Sequence, residues 1–272
     1  TPALVLPFPD TGRPPSDLPP ALRARHTNRA PYRRDRLPPA LAARIRSQGT
    51  ERVQVHWIED RVKIRHLGRL VGRAARLRYR DEGLHRWLAH SLRFSAEAAE
   101  RGEGLDVRTL HLPPGGRQVL RLVCDWRRMR WLNALGADRM LGAFEGFELV
   151  RCGALVAIGT PAPPALEDWV AAGRVLERVW LELNAAGVAV HPSFVLPDLL
   201  HRLATTAVPA ALEAAARDVA AAFRAAWPDG GFPCMLLRTG YARSPAVRAR
   251  RLPLERILTQ RNCTDDDDAL VL

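Results

Sequence analysis

The chain has 272 residues, of which 47% are hydrophobic and 26% charged, so it can bury a sizeable core, and no apolar run is long enough to span a bilayer. Its formal net charge is +12, and Lys63 is the one lysine among 41 basic residues. An excess carried by arginine alone, spread along the chain, with only 6% aromatics and no zinc-finger, RRM or KH signature, argues against a nucleic-acid module and for a solvated basic surface.

Residues 1–21 open with "TPALVLPFPD", which lacks the basic leader and small-residue cleavage site of a signal peptide. They are Pro-rich and read as an extended arm or linker. "RARHTNRAPYRR" (23–34) then packs five arginines into twelve residues. Residues 37–49 begin with prolines and end at Gly49, the start and stop signals of a short helix. "VQVHWI" (53–58) alternates as a strand does, and 61–80 carries Val62, Leu67, Leu70, Val71, Ala74 and Leu77 at helical spacing.

Residues 84–100 read as a helix. Residues 101–116, with four glycines and two prolines, break regularity in the way of a surface segment that can cover a pocket. Residues 117–143 are helical again, and the whole of 84–143 is a candidate excursion or lid. "ALVAIGT" (154–160) is a continuous apolar run closed by Gly159 and Thr160, as a buried strand would be. Residues 161–187 form the clearest helix, with Glu167 and Asp168 at its positive end and Gly187 as its stop. A further helix over 208–227 and a strand over 233–240 follow. Trp126, Trp131, Trp169 and Trp180 sit on helical apolar faces, which points to core or subunit-interface packing. Helices with a few interspersed strands make an α+β domain, 22–260, with a small sheet, ahead of an acidic tail at 261–272.

Cys124, Cys152, Cys234 and Cys263 have no CxxC spacing, which excludes a zinc knuckle and fits a reducing cytoplasm. His85 and His90 are five apart, which does not put two ligands on one helix face, so no metal site is expected. Neither G-x-G-x-x-G nor a P-loop occurs. Two basic clusters remain: Arg25, His26, Thr27 and Arg29 near the start, and Arg248, Arg250 and Arg251 near the end. Guanidinium forks beside a hydroxyl are suited to a phosphomonoester. Taken alone, the first is explained by a solvated basic loop and the second by a basic surface strand.

Together, "RHTNR" and "RRLPLERIL" resemble the ends of the nitroreductase family of FMN-dependent oxidoreductases. "LNAAGVAVHPSF" and "CMLLRTGYARSP" resemble that family's helix-turn-loop beside the flavin and its late strand, so the likeness runs over about 22–258. It implies a nitroreductase-like fold, a small central sheet surrounded by helices. Arg25, His26, Thr27 and Arg29 would hold the FMN phosphate and Arg250 and Arg251 would close the clamp. Pro192, Ser193, Phe194 and Val195 would lie by the isoalloxazine ring, where backbone N–H groups tune the flavin. The implied activity is transfer of hydride from NAD(P)H, by way of FMN, to an electron-poor small molecule, with no catalytic side chain. The implied assembly is a homodimer, or a pseudo-dimer with a related chain. The family's "P-S-x-x-N-x-Q-P-W" stretch is missing. In that the chain is similar to the C-terminal half of divergent actinobacterial members, some tandem and some fused to a ThiF/E1-like domain. Two alternatives stay open: a catalytically inactive, flavin-sequestering or scaffold member of the fold, and a basic polyanion-binding module.

Overall fold

The computed structural model of the chain describes residues 20–205, 207–228 and 231–252. Of the expected arm at 1–21, residues 1–19 lie outside the described residues and the last two begin a short helix, α1 (Pro20–Ala24); the acidic tail at 261–272 also lies outside the described residues.

One antiparallel sheet organises the chain. Its order is β1 (Gln54–Ile58), β4 (Ala154–Thr160), β6 (Phe232–Gly240) and β5 (Ala189–Ser193). β4 is buried along its whole length, as its unbroken apolar sequence requires. Its alternate side chains feed two cores: Leu155 and Ala157 on one face, Ala154, Val156 and Ile158 on the other. A register shift opposite Ile158 and Gly159 leaves Cys234 of β6 unpaired.

The first core is covered by α3 (Arg61–Arg78), α10 (Val195–Ala204) and α11 (Ala210–Ala226), the second by α2 (Pro39–Arg46) and α9 (Leu166–Ala185). α9 starts with Asp168 accepting from the Ala165 N–H (3.1 Å) and stops at Gly187, whose φ of 70° is open to glycine. The expected α+β architecture, a small sheet surrounded by helices, is the one observed.

α3 and α8 (Ala137–Val150) are antiparallel and unusually close, because both carry G-x-x-x-G. A Cβ on Gly142 would meet the Gly72 carbonyl at 2.5 Å, and one on Gly72 would meet the Gly142 carbonyl at 3.0 Å. Charge ties the same pair together. Arg61 donates to the carbonyls of Val150 (2.9 Å) and Cys152 (2.8 Å) at the end of α8, and Arg76 pairs with Asp138 at 2.7 Å.

The excursion is more broken than its sequence suggests. Residues 84–100 resolve into α4 (Glu82–Ser91), β2 (Leu92–Arg93) and α5 (Ala96–Glu100), with Ser95 capping α5. β3 (Leu105–Asp106) and a 3-10 turn, Val107–Leu110, follow. The expected helix over 117–143 is three: α6 (Gly116–Val123), α7 (Trp126–Ala134) and the start of α8, divided where Asp125 caps α7 and Gly136 takes a φ of 93°. Trp180 is buried, but Trp131 is 64% exposed. Among the described residues no helix is long and apolar enough to cross a membrane.

Candidate functional site

The basic segment near the start folds back along the chain that leaves β6. Asn28 N–H donates to the Val190 carbonyl of the edge strand β5 (2.9 Å), Arg33 N–H to Tyr241 O (2.8 Å) and Arg243 N–H to Pro31 O (2.9 Å). These bonds flank a Tyr32–Ala242 bridge. Further along, the Arg251 guanidinium donates to the carbonyls of Leu22 (2.6 Å) and Arg25 (3.1 Å). The two arginine-rich ends therefore meet, over 200 residues apart in sequence.

Within the first cluster the side chains diverge. Arg25 turns to α9, where it pairs with Glu177 at 2.8 Å and lies 4.7 Å from the centre of the Trp180 ring. Arg29 turns inward, and among the described residues its side chain hydrogen-bonds to the Thr109 hydroxyl in the 3-10 turn (3.4 Å). Burial, opposed by Tyr32 and reinforced by the Arg238 charge, lowers its pKa. Among the described residues no carboxylate lies within salt-bridge distance of it. His26 lines a different cavity and its Nδ1 contacts Ala24 O at 2.8 Å. Thr27 is half-buried between them. In the second cluster Arg250 pairs with Glu100 of α5 at 3.2 Å, so the excursion holds both Arg29 and Arg250.

Pro192 and Ser193 end β5 opposite Leu237 and Leu236, Phe194 caps α10 and is 41% exposed, and Val195 is the first residue of α10. The expected loop beside a ring is therefore a strand end running straight into a helix. One residue earlier, His191 pairs across the sheet with Arg238. Burial, with the positive charges of Arg238 and Arg29 adding to it, holds its pKa well below the ordinary histidine value, so the imidazole is neutral.

Arg238 pins this region. It is 1% exposed. Its Nη1 donates to the Glu148 carbonyl (2.9 Å) and carboxylate (3.0 Å), and its Nη2 to Ala30 O (3.0 Å). The guanidinium sits 4.2 Å from the centre of the Tyr32 ring, and the Tyr32 hydroxyl donates to Asn28 O. Residues 28–32 are thus fastened to β6 and to the last turn of α8. Sequence reasoning missed Arg238 and Glu148; the available signal was a lone arginine inside the apolar run "MLLRTG".

Two cavities open beside the Tyr32–Ala242 bridge. One, of ≈ 610 Å³, is lined by His26, Asn28, Arg33, Tyr241, Arg243 and Arg248 among others. The other, of ≈ 550 Å³, is lined by Tyr32, Arg33, Arg34, Asp35, Phe147, Arg151 and Arg243. Arg33 and Arg243 line both. Burial raises the pKa of Cys124, Cys152 and Cys234, the last two to about 11, so none of these free thiols is a nucleophile near neutral pH. No group of three metal-ligating side chains occurs among the described residues.

Solved structures of several flavoproteins are similar to this one. The FMN- and NADPH-dependent nitroreductase NfnB from Sphigopyxis sp. strain HMH is 18% identical, over 89% of this chain and 98% of that chain, with a TM-score of 0.47. An oxidized iodotyrosine deiodinase bound to FMN and 3-iodo-L-tyrosine is 11% identical over 90% and 98%, with a TM-score of 0.48. A putative nitroreductase in complex with FMN from Desulfovibrio desulfuricans is 11% identical over 89% and 95%, with a TM-score of 0.43. No protein-family model matches the chain, and no curated protein does either.

Proposed function

We propose that the chain binds FMN and works as a nitroreductase-type oxidoreductase, taking electrons from NAD(P)H and reducing an electron-poor small molecule. The observation that carries this reading is the meeting of its two arginine-rich ends, with Arg251 bonded to the backbone of Leu22 and Arg25. It is the contact that the resemblance of "RHTNR" and "RRLPLERIL" requires.

The residues present fit a phosphate ester. Arg29 is a half-buried cation whose polar side-chain partner among the described residues is a neutral hydroxyl, and a phosphate would supply a countercharge. Arg25 and Thr27 lie on the same stretch, with His26 at its edge, and Arg251 reaches it through the carbonyls of Leu22 and Arg25; Arg25 joins the clamp once it leaves Glu177, and Arg250 once it leaves Glu100. Pro192, Ser193, Phe194 and Val195 would then flank the ring, and neutral His191 would sit behind it as an uncharged hydrogen-bonding group. Bound FMN supplies the hydride-accepting and hydride-donating centre.

A dimer belongs to this proposal. Met140, Phe144 and Phe147 form a stripe along α8 that is 50–66% exposed, and Trp131 and Leu135, on and just after the neighbouring α7, are exposed as well. So large an uncovered apolar face is the kind a second copy, or a related chain, buries. A ThiF/E1-like partner domain and a cytoplasmic setting rest on the sequence resemblance and the cysteine pattern alone.

A second reading is favoured by one observation: the excursion already occupies the clamp, through Thr109 on Arg29 and Glu100 on Arg250. With the Asn/Gln motif missing, the chain would then sequester FMN without turnover. Titration of the purified protein with FMN, followed by flavin fluorescence and absorbance, tests both readings. One FMN per chain is expected, and no binding refutes them together. NAD(P)H oxidation with a quinone or nitroaromatic acceptor separates them: turnover selects the oxidoreductase, and its absence with FMN bound selects the sequestering protein.

A further inference from the structure

The two cavities beside the Tyr32–Ala242 bridge share Arg33 and Arg243 as walls, and taken together they make a cationic trough that neither Arg25 nor Arg29 lines. We infer that this trough is a second anion site, for an organic diphosphate, with its two phosphoryl groups over Arg33 and Arg243. Its two arginines lie outside the proposed FMN clamp, and His26 stands at the edge of both sites.

The backbone fixes the spacing. Tyr32 bridges Ala242 in antiparallel fashion, so Arg33 lies opposite Tyr241, and Arg243 is its diagonal neighbour. Diagonal partners on one face of an antiparallel pair stand about 7–8 Å apart. Tyr32 takes the opposite, buried face, where its ring lies against Arg238. Two guanidinium stems thus project from one surface at a spacing that a single phosphate can bridge and two linked phosphates can fill.

The charge around them is lopsided. His26 and Arg248 line one half, and Arg34 and Arg151 the other. Among the described residues Asp35 is the one carboxylate lining either half, and it pairs with Arg33 at 3.3 Å. Arg33 also lies 5.3 Å from the centre of the Tyr241 ring, and Arg151 lies 5.3 Å from that of Phe147, so an aromatic face orients each cation, beside the Asp35 carboxylate in the case of Arg33. Ser244 and Asn184 add neutral donors to the first half. A ligand with two adjacent negative groups relieves repulsion between the shared arginines, and an organic extension fits the ≈ 610 Å³ half.

Isothermal titration of the full chain, at physiological salt, with ADP, pyrophosphate and orthophosphate tests this. ADP and pyrophosphate are expected to bind at one site per chain, at least tenfold tighter than orthophosphate. The double variant Arg33→Ala plus Arg243→Ala is expected to weaken both by tenfold or more and to leave FMN stoichiometry unchanged. The backbone bonds of residues 33 and 243 survive truncation of their exposed side chains, and an unchanged melting temperature verifies it. Arg29→Ala is expected to do the reverse, weakening FMN and sparing ADP. Orthophosphate binding as tightly as pyrophosphate, an unaffected double variant, or saturation by single-stranded DNA in place of ADP would each overturn the proposal. Failure of FMN binding with ADP binding intact would refute the flavin reading alone.

Discussion

Replacing Arg238 by alanine is expected to be among the most damaging single changes on the sheet. The side chain is 1% exposed and makes three hydrogen bonds: two to Glu148 and one to Ala30 O. Bonds to a charged donor contribute roughly 1.5–3 kcal/mol each, so simple addition would suggest about 5–9 kcal/mol. That overstates the loss. The Glu148 side chain is 23% exposed and can regain water, and Ala30 O can move with its segment. The carboxylate left behind is still largely buried and has lost its cation, so removal of one partner from the pair is expected to cost about 3–5 kcal/mol. At ~2–4 °C per kcal/mol this is a fall of roughly 6–20 °C in melting temperature. Thermal and urea unfolding of Arg238→Ala measure it, and FMN titration follows the second effect, because residues 28–32 lose their anchor. Arg238→Met with Glu148→Gln should recover much of the stability, since the stranded charge is gone. A loss below about 1 kcal/mol in Arg238→Ala, or a double variant no better than the single one, would refute the reasoning.

Three other outcomes are expected. Gly142→Ala places a Cβ 2.5 Å from the Gly72 carbonyl and 3.2 Å from Arg76 N, both backbone atoms, so α3 and α8 must separate. Overpacking costs about 1–3 kcal/mol and outweighs the gain of up to ~1 kcal/mol that alanine has over glycine in a helix; urea midpoints check the sign. Burial holds the pKa of His191 well below its ordinary value and lowers that of His85, while the unfolded chain protonates both below about pH 6.5. The unfolded state then binds more protons, so stability falls as pH drops from 7.5 toward 5.5, by up to ~1.4 kcal/mol per unit for each histidine. Guanidinium unfolding at several pH values measures this, and a flat profile over that window contradicts it. Arg29→Ala is expected to raise the FMN dissociation constant by roughly 10- to 100-fold, the share of a charge-assisted bond to phosphate, as read by flavin fluorescence.

Much of the fold was legible because its strands are short and strongly patterned. Residues 154–160 are strand β4 residue for residue, and the readings at 53–58 and 233–240 miss β1 and β6 by one residue at the start. β5 escaped because "AVHPS" carries a proline and a histidine; the proline is tolerated because β5 is an edge strand. α10 escaped for a similar reason, since Pro197 falls within its first turn, where no backbone bond is lost. The helices of the excursion were joined in error across Asp125, Gly136 and Ser95, residues that cap or redirect the chain rather than continue it. The convergence of the two basic ends was expected from their resemblance to known ends, not from spacing. What the sequence could not disclose was direction: which arginine of "RARHTNRAPYRR" faces α9, which the sheet, and which the trough.

That question of direction is what separates structural from unmatched charge. Arginines with little exposure should have a counterpart, since a buried unpaired cation is costly. Most of those here do. Arg25 has Glu177, Arg76 has Asp138, Arg78 has Glu145, Arg202 has Asp81 and Arg238 has Glu148. Arg61 and Arg93 have backbone carbonyls at helix ends. Among the described half-buried arginines two stand apart. Arg29 has a hydroxyl, and Arg151 has an aromatic face. One faces the proposed FMN clamp and the other lines the cationic trough. A net charge of +12 distributed at random over a surface would not leave its two poorly matched, half-buried members at two concavities flanking one chain segment. The excess of arginine is therefore mostly scaffold, and the small remainder is placed where an anion can complete it.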